Sequence, residues 1–253
     1  MLLDNKVVIV TGGGHGIGRA YCRGIAHEGG KVVVADIDAA AADIVAEEIS
    51  GDGGEALAVR TDVASLASSQ DMTKQALDRF GQIDGLINNA AIFATIPISR
   101  VGFQEISEEE WDRVMEVNVK GVWLCSRAVA PAMQERQRGS IVNIASGTVL
   151  NGSVGRIHYV ASKAAVVGFS RVLARELGPS NVRVNTIAPG STLSEDKPTE
   201  DILQMRQANV GNRALKRVER PDDLVGTAIY LLSDLSAFVT GQMIVVGGGD
   251  VMY

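Results

Sequence analysis

"VTGGGHGIGRA", Val10 to Ala20, places five glycines in the eight positions that begin at Thr11. Such a run fits a flexible linker, a nucleotide-hydrolysing P-loop, the common dinucleotide-binding turn or a variant of that turn. Its flanks argue against the linker. Ahead of it, "KVVIV", Lys6 to Val10, is a β-branched stretch suited to a strand buried on both faces of a parallel sheet. Behind it, Ile17, Ala20, Tyr21, Gly24, Ile25 and Glu28 recur at helical spacing, and Gly29 and Gly30 form a C-terminal stop. Strand, turn and helix follow without slack, so the backbone N–H groups of the turn face something anionic.

The P-loop pattern nearly fits Gly13 to Ala20, but Arg19 stands where Lys belongs and Ala20 where a hydroxyl would ligate Mg²⁺. The spacing G-x-G-x-x-G, begun at Gly12, fails at Ile17. T-G-x-x-x-G-x-G does fit, through Thr11, Gly12, Gly16 and Gly18. On these residues the sequence resembles the short-chain dehydrogenase/reductase family in its roughly one-domain form. The resemblance implies a tight bend at Gly12, a close approach of backbone to pyrophosphate at Gly16, and close helix-to-strand contact at Gly18. Gly13 and Gly14 are read as permissive turn residues. His15 and Ile17 lie in the same cofactor loop. Relatives that prefer the phosphorylated cofactor often carry Arg or Lys at the position of His15, and a neutral imidazole offers less.

A chain of 253 residues suits a single α/β domain, read here as spanning 1–253. Its 46% hydrophobic but only 4% aromatic content predicts a core of Ala, Val, Ile and Leu. A net charge of −6 argues against nucleic acid as a partner. Cys22 and Cys125 fall in apolar helical patterns and read as buried thiols rather than a disulfide, which suits a reducing compartment. With no signal-peptide pattern and no apolar run of membrane-spanning length, the expected location is the cytoplasm, away from the membrane. The scattered histidines make no metal-ligand cluster.

Apolar runs at Val32–Ala35, Ala56–Val59, Ile83–Ile87, Ile141–Ile144, Val182–Ile187 and Met243–Val246 alternate with helical stretches. With the first strand they predict a doubly wound, Rossmann-like parallel sheet of about seven strands, with helices on both faces and ligands at the carboxyl ends of the strands. Two segments break the alternation, Ala91–Ser107 and Gly190–Arg220. Loops of this length are commonly functional, so both are candidate pocket walls, the second as a lid over the substrate around 190–220.

Asp36 closes "KVVVADID" 18 residues after Gly18, where a carboxylate accepts from adenosine ribose hydroxyls and repels a 2′-phosphate. With no Arg or Lys between Asp36 and Ala42, the expected cofactor is NAD. A turn or cap role is the alternative for Asp36. Asp62 in "RTDV" matches the family's acid beside adenine, with Val63 next to it, and turn capping is its alternative. "NNAA", Asn88 to Ala91, resembles N-N-A-G, so Asn89 and Ala90 join the cofactor set and Ala91 replaces glycine.

"YVASK" carries Tyr159 and Lys163 at i and i+4, on one helix face. Thirteen residues earlier, "NIASG" puts Ser146 at a strand end, and Asn118 in "MEVNVKG" matches the family's fourth catalytic position. Oxidising an alcohol needs a base for its proton, and a free phenol is mostly protonated at neutral pH. An ammonium about 4 Å away, at about 4 kcal/mol, lowers a phenol pKa by nearly three units before any cost of burial. Tyr159 is therefore the expected general acid and base, with Ser146 orienting the substrate oxygen. The resemblance implies that Lys163 also binds the nicotinamide ribose and that Asn118 holds a water. His158 points about 100° away from Tyr159 and reads as a bystander or rim residue. "IAPGSTLS" resembles the segment beneath the nicotinamide amide, which adds Pro189, Gly190 and Thr192. Ser194 stands where Thr is commoner, and Gly247 where an Asp is expected.

The expected activity is NAD-dependent interconversion of a secondary alcohol and a ketone. Ile92, Phe93, Ile96, Pro97 and Ile98, with Thr148, Val149 and Leu150, form an apolar wall with few fixed charges. Alternatives are a 3-oxoacyl thioester reductase, for which Arg213, Lys216, Arg217 and Arg220 would meet an acidic carrier, and a catalytically silent NAD-binding protein. The resemblance implies a homotetramer packed through helices around Trp111–Met133 and Tyr159–Leu177.

Overall fold

A computed structural model describes residues 1–93, 96–195 and 197–252. Ala94 and Thr95 of the first candidate wall, Asp196 of the second and the terminal Tyr253 lie outside the described residues. In chain order the elements are β1 (Val7–Thr11), α1 (Gly16–His27), β2 (Lys31–Asp36), α2 (Ala39–Gly51), β3 (Ala56–Arg60), α3 (Leu66–Phe80) and β4 (Gly85–Asn88). The second half runs α4 (Glu108–Met115), a π-helical turn (Glu116–Lys120), α5 (Gly121–Glu135), β5 (Gly139–Ile144), α6 (Thr148–Asn151) and α7 (Ile157–Leu177). It closes with β6 (Val182–Pro189), α8 (Glu200–Ala208), α9 (Asp222–Leu232) and β7 (Met243–Val246).

Among the described residues seven strands form one parallel sheet, in the order β3-β2-β1-β4-β5-β6-β7. Strand side chains alternate between faces with a period of two, so one sequence builds two cores. Val8, Val10, Val32, Val34 and Ile87 pack with Tyr21, Ile25, Val45 and Leu231 from α1, α2 and α9. Val7, Ile9, Val33, Ile141 and Val184 pack with Met72, Cys125, Val129 and Ala174 from α3, α5 and α7. The β-branched runs predicted as strands thus face helices on both sides, and the doubly wound sheet is present as read.

Helix starts follow local chemistry. Asp38, Ser65, Ser107 and Thr199 each accept a backbone N–H at the start of α2, α3, α4 and α8. Helix α1 differs: His15 precedes it without a side-chain cap. The chain reverses its direction of sheet growth between β1 and β4, and a crevice opens at their carboxyl ends.

Candidate active site

The glycine loop joins β1 to α1 across that crevice. Gly12 has φ +63° and Gly16 φ +48°, conformations that a side chain disfavours. A Cβ on Gly18 would lie 1.8 Å from the Gly12 carbonyl oxygen, which fixes glycine where α1 meets the loop. Gly14 is not a permissive turn residue, as the sequence suggested. Its φ is not in the left-handed region, its Cβ position lies 2.8 Å from Ala41, and its N–H donates to Asp36 Oδ2 at 2.9 Å.

Around this loop a cavity of about 460 Å³ is lined by Gly12, His15, Gly16, Ile17, Asp36, Asp62, Val63, Asn89 and Ala90 at one end. Ser146, Tyr159, Lys163, Pro189, Gly190 and Thr192 line it further along. Gly18 lies behind the loop, and Asn118 stands behind Ile92, whose backbone N–H donates to Asn118 Oδ1 at 2.8 Å. The asparagine Nδ2 donates to Ser162 Oγ at 3.2 Å, so its two side-chain polar atoms tie the first wall to α7. It sits in the π-helical turn, not in a regular helix, and is fully buried.

These residues fit a nicotinamide dinucleotide. The uncapped N-terminus of the 12-residue helix α1 opens on the cavity, where free N–H groups and the helix dipole favour a pyrophosphate. Asp36 ends β2 with Oδ1 accepting from Asp38 N–H and Oδ2 from Gly14 N–H, so it is both a turn residue and a cavity-lining carboxylate. A carboxylate oxygen has a second lone pair for a ribose hydroxyl. Asp62 Oδ1 likewise accepts from Ala64 N–H, a turn contact that leaves Oδ2 for a ligand. His15 Nε2 stands 3.5 Å from Asp38 Oδ2 at the rim.

Asn89 braces the loop, its Nδ2 donating to the carbonyl oxygens of Thr11 and Gly12 at 3.1 and 3.0 Å. Thr11, a motif position in the sequence, has a structural task. Its Oγ1 donates to the Ile87 carbonyl and accepts from the N–H groups of Asn89 and Ala90, locking β1 to β4.

At the other end, α7 presents Tyr159 and Lys163, and β5 ends two residues before Ser146. Ser146 Oγ accepts from Thr148 N–H and Oγ1 at 3.2 and 2.9 Å and stands close enough to the Tyr159 phenol to favour its anion. The expected depression of the Tyr159 pKa is not found. Burial raises it, and Ser146, Arg156 and Arg206 only moderate the rise. Lys163 Nζ donates to the Ile144 carbonyl at 2.8 Å and lies 5.9 Å from the Tyr159 ring centroid. Burial also pushes Lys163 down to about 8, because a desolvated ammonium gives up its proton more readily.

Other sequence expectations need revision. His158 is no rim residue: it is fully buried, with Nε2 3.2 Å from Glu110 Oε1. Thr192 Oγ1 donates to Glu219 Oε1 at 2.8 Å, and Gly190 N–H to the same oxygen at 3.3 Å. The basic cluster is not a helix face, and Lys216, Arg217 and Arg220 are exposed while Arg213 is not. Arg213 is buried against Glu219 at 3.2 Å, and Arg217 grips Asp223 through two contacts of 2.6 Å. Nor is the substrate wall poor in charge, since Arg100, Arg156 and Arg206 all line the cavity. Glu219 was unmarked in the sequence, because its partners Gly190, Thr192 and Arg213 meet it only in the folded chain. At the position of the expected Asp, Gly247 packs so tightly on Gly190 that a Cβ on Gly190 would lie 2.8 Å from its Cα.

Among the described residues no group of three His, Cys, Asp or Glu is arranged to hold a metal, and no helix is long and apolar enough to cross a membrane.

Known proteins bear the same pattern. A sequence model described as short chain dehydrogenase matches residues 6–201. A (2S)-[(R)-hydroxy(phenyl)methyl]succinyl-CoA dehydrogenase subunit of Thauera aromatica is 37% identical, the match covering 100% of this chain and 99% of that protein. A 3-oxoacyl-[acyl-carrier-protein] reductase of Synechocystis is 38% identical over 99% of both chains. An L-rhamnose 1-dehydrogenase (NAD(P)(+)) of Azotobacter vinelandii is 36% identical over 98% of both. The crystal structure of a short-chain type dehydrogenase/reductase from Mycobacterium marinum superposes with a TM-score of 0.89 at 33% identity, covering 99% of this chain and 97% of that one. In sequence, fold and length of match alike, this chain belongs to the short-chain dehydrogenase/reductase family, as an oxidoreductase built to bind a nicotinamide nucleotide.

Proposed function

We propose that the protein interconverts a secondary alcohol and a ketone with NAD(H), using Tyr159 as general acid and base. The observation that carries this reading is the single cavity in which Tyr159, Ser146 and Lys163 meet the glycine loop and Asp36. Bound there, the nicotinamide would accept or return the hydride. Ser146 holds the substrate oxygen, Tyr159 takes or gives its proton at the phenol oxygen, and Lys163 holds ribose hydroxyls. Burial keeps the Tyr159 phenol protonated, which suits ketone reduction directly. Alcohol oxidation needs added positive charge, which an oxidised nicotinamide brings. Asn118 acts by positioning the Ile92 wall and α7. Asp36 favours NAD because a 2′-phosphate would meet its carboxylate. The segment 190–220 serves as a substrate lid on one domain spanning 1–253, and the enzyme works in the cytoplasm as a homotetramer.

A second reading, reduction of a 3-oxoacyl thioester, is favoured by the names of several relatives. One experiment decides between them. Measure kcat/KM for secondary alcohols with NAD and NADP, for 3-oxoacyl thioesters with NADH and NADPH, and repeat with Asp36→Ala. The reading expects an NAD preference that moves toward NADP in the variant. Equal efficiency with both cofactors in the unmutated protein refutes the role of Asp36, and reduction confined to thioesters supports the second reading.

A further inference from the structure

The far end of the cavity carries charge that the chemistry at Tyr159 does not use. Phe93 stacks on Tyr159 with ring centroids 4.4 Å apart at 27°, and the Arg156 guanidinium lies over the Phe93 ring at 5.6 Å from its centroid. Those two separations cap how far Arg156 can stand from the reacting phenol. Arg156 is half-buried, and Arg100 and Arg206 are near enough to disfavour its charge further. Among the described residues neither Arg156 nor Arg100 has a carboxylate partner. Arg156 donates to Ser153 Oγ, and Arg100 Nη1 meets only the Met205 sulfur at 3.1 Å, a weak acceptor. Arg206 differs: it is buried and paired with Glu195 at 2.6 Å, and among the described residues its Nε has no partner. Asp250 also lines the cavity, and among the described residues no ion pair joins it to any of the three.

Among the described residues only Arg206 of these three cations is paired with a carboxylate, and cations left without one are unfavourable in an empty pocket and favourable around an anion. A guanidinium fork matches a carboxylate in both charge and shape. We infer that the substrate carries a free carboxylate on its carbon skeleton, held by Arg156 with Arg100, a short apolar span from the carbon that reacts at Tyr159. Phe93 lies between Tyr159 and Arg156, and Ile96 lines the same cavity. This rests on the oxidoreductase reading above. The phosphates of a coenzyme A thioester share the anionic chemistry, but they lie a whole pantetheine arm beyond the acyl carbon. That distance is too great for Arg156, which is only one stacked ring from Tyr159.

Paired probes test this. The protein is given levulinate and the next longer oxo acid, each against its methyl ester, with NADH and NADPH in turn. The acid is expected to exceed its ester in kcat/KM by about tenfold or more, as a charge-assisted hydrogen bond gives. Arg156→Gln should lower the acid-to-ester ratio by about tenfold, mainly through KM, and Arg156→Lys should restore part of it. Fluorescence of bound NADH, titrated with levulinate, reads the same loss as weaker binding without turnover. The unmutated ratio needs no variant, so a poorly folding mutant leaves the test intact. Esters favoured over acids, or a ratio unmoved by Arg156→Gln, overturn the inference while turnover of neutral ketones leaves the oxidoreductase reading standing. A preference for 3-oxobutanoyl-CoA that depends on Arg100 and not on Arg156 also overturns it, in favour of phosphate recognition. Failure to bind either nicotinamide nucleotide would sink the underlying reading, and this inference with it.

Discussion

Replacing Lys163 with methionine should stabilise the cofactor-free protein while removing its activity. Lys163 is buried on α7, and among the described residues its ammonium donates to one acceptor, the Ile144 carbonyl. Burial lowers its pKa from 10.5 to about 8. At about 1.4 kcal/mol per unit, holding the charged form costs the fold about 3 kcal/mol at neutral pH. Because the folded value lies below the unfolded one, the unfolded chain binds more protons between pH 8 and 10.5. Stability therefore rises with pH across that window, with the full penalty present below it and none above it. Methionine has a similar length and no charge, but it gives up the hydrogen bond to Ile144, worth about 1 kcal/mol. The net gain is about 2 kcal/mol at neutral pH, or about 4–8 °C in Tm for a chain of this size. Thermal unfolding of Lys163→Met and the unmutated protein, at one protein concentration and at about pH 7 and about pH 10, measures it. The gain should shrink toward zero at the higher pH. A variant less stable at neutral pH, or a Tm difference equal at both, would refute the argument that desolvation of Lys163 is a standing cost.

Two further outcomes follow from the site. Tyr159→Phe should lower kcat by about a hundredfold or more, as expected when a general acid and base is lost, while NADH fluorescence still reports binding; retained turnover would point to another base. Gly18→Ala places a methyl 1.8 Å from the Gly12 carbonyl oxygen, so α1 must shift from the loop. NADH affinity should fall by at least about tenfold, more than for Gly51→Ala, where nothing lies within 4 Å, and equal effects at the two positions would refute the packing role.

Local chemistry was enough to read the sheet. The runs "KVVIV" and "KVVVAD" are dominated by β-branched residues, so they suit strands covered on both faces, and the glycine loop between strand and helix leaves one topology class. The pairing of Tyr159 with Lys163 follows from helical periodicity, and the position of Asp36 from the end of a strand. These features depend on neighbours a few residues apart, and the chain carries them in its own order.

Tertiary structure decided what distant segments do to one another. Whether burial or a nearby ammonium dominates the Tyr159 phenol depends on how α7 packs against β5, and burial won. The basic residues from Arg213 to Arg220 look alike in sequence, yet Arg213 is buried on Glu219 while Arg217 stays at the surface with Asp223. Asn118 binds Ile92 and Ser162 because a π-helical turn directs its amide there, a geometry with no local signature. Arg100, Arg156 and Arg206 come from three segments and share one cavity wall only after the chain closes. Electrostatic energy depends on separation and solvent access in space, and neither is a function of distance along the chain.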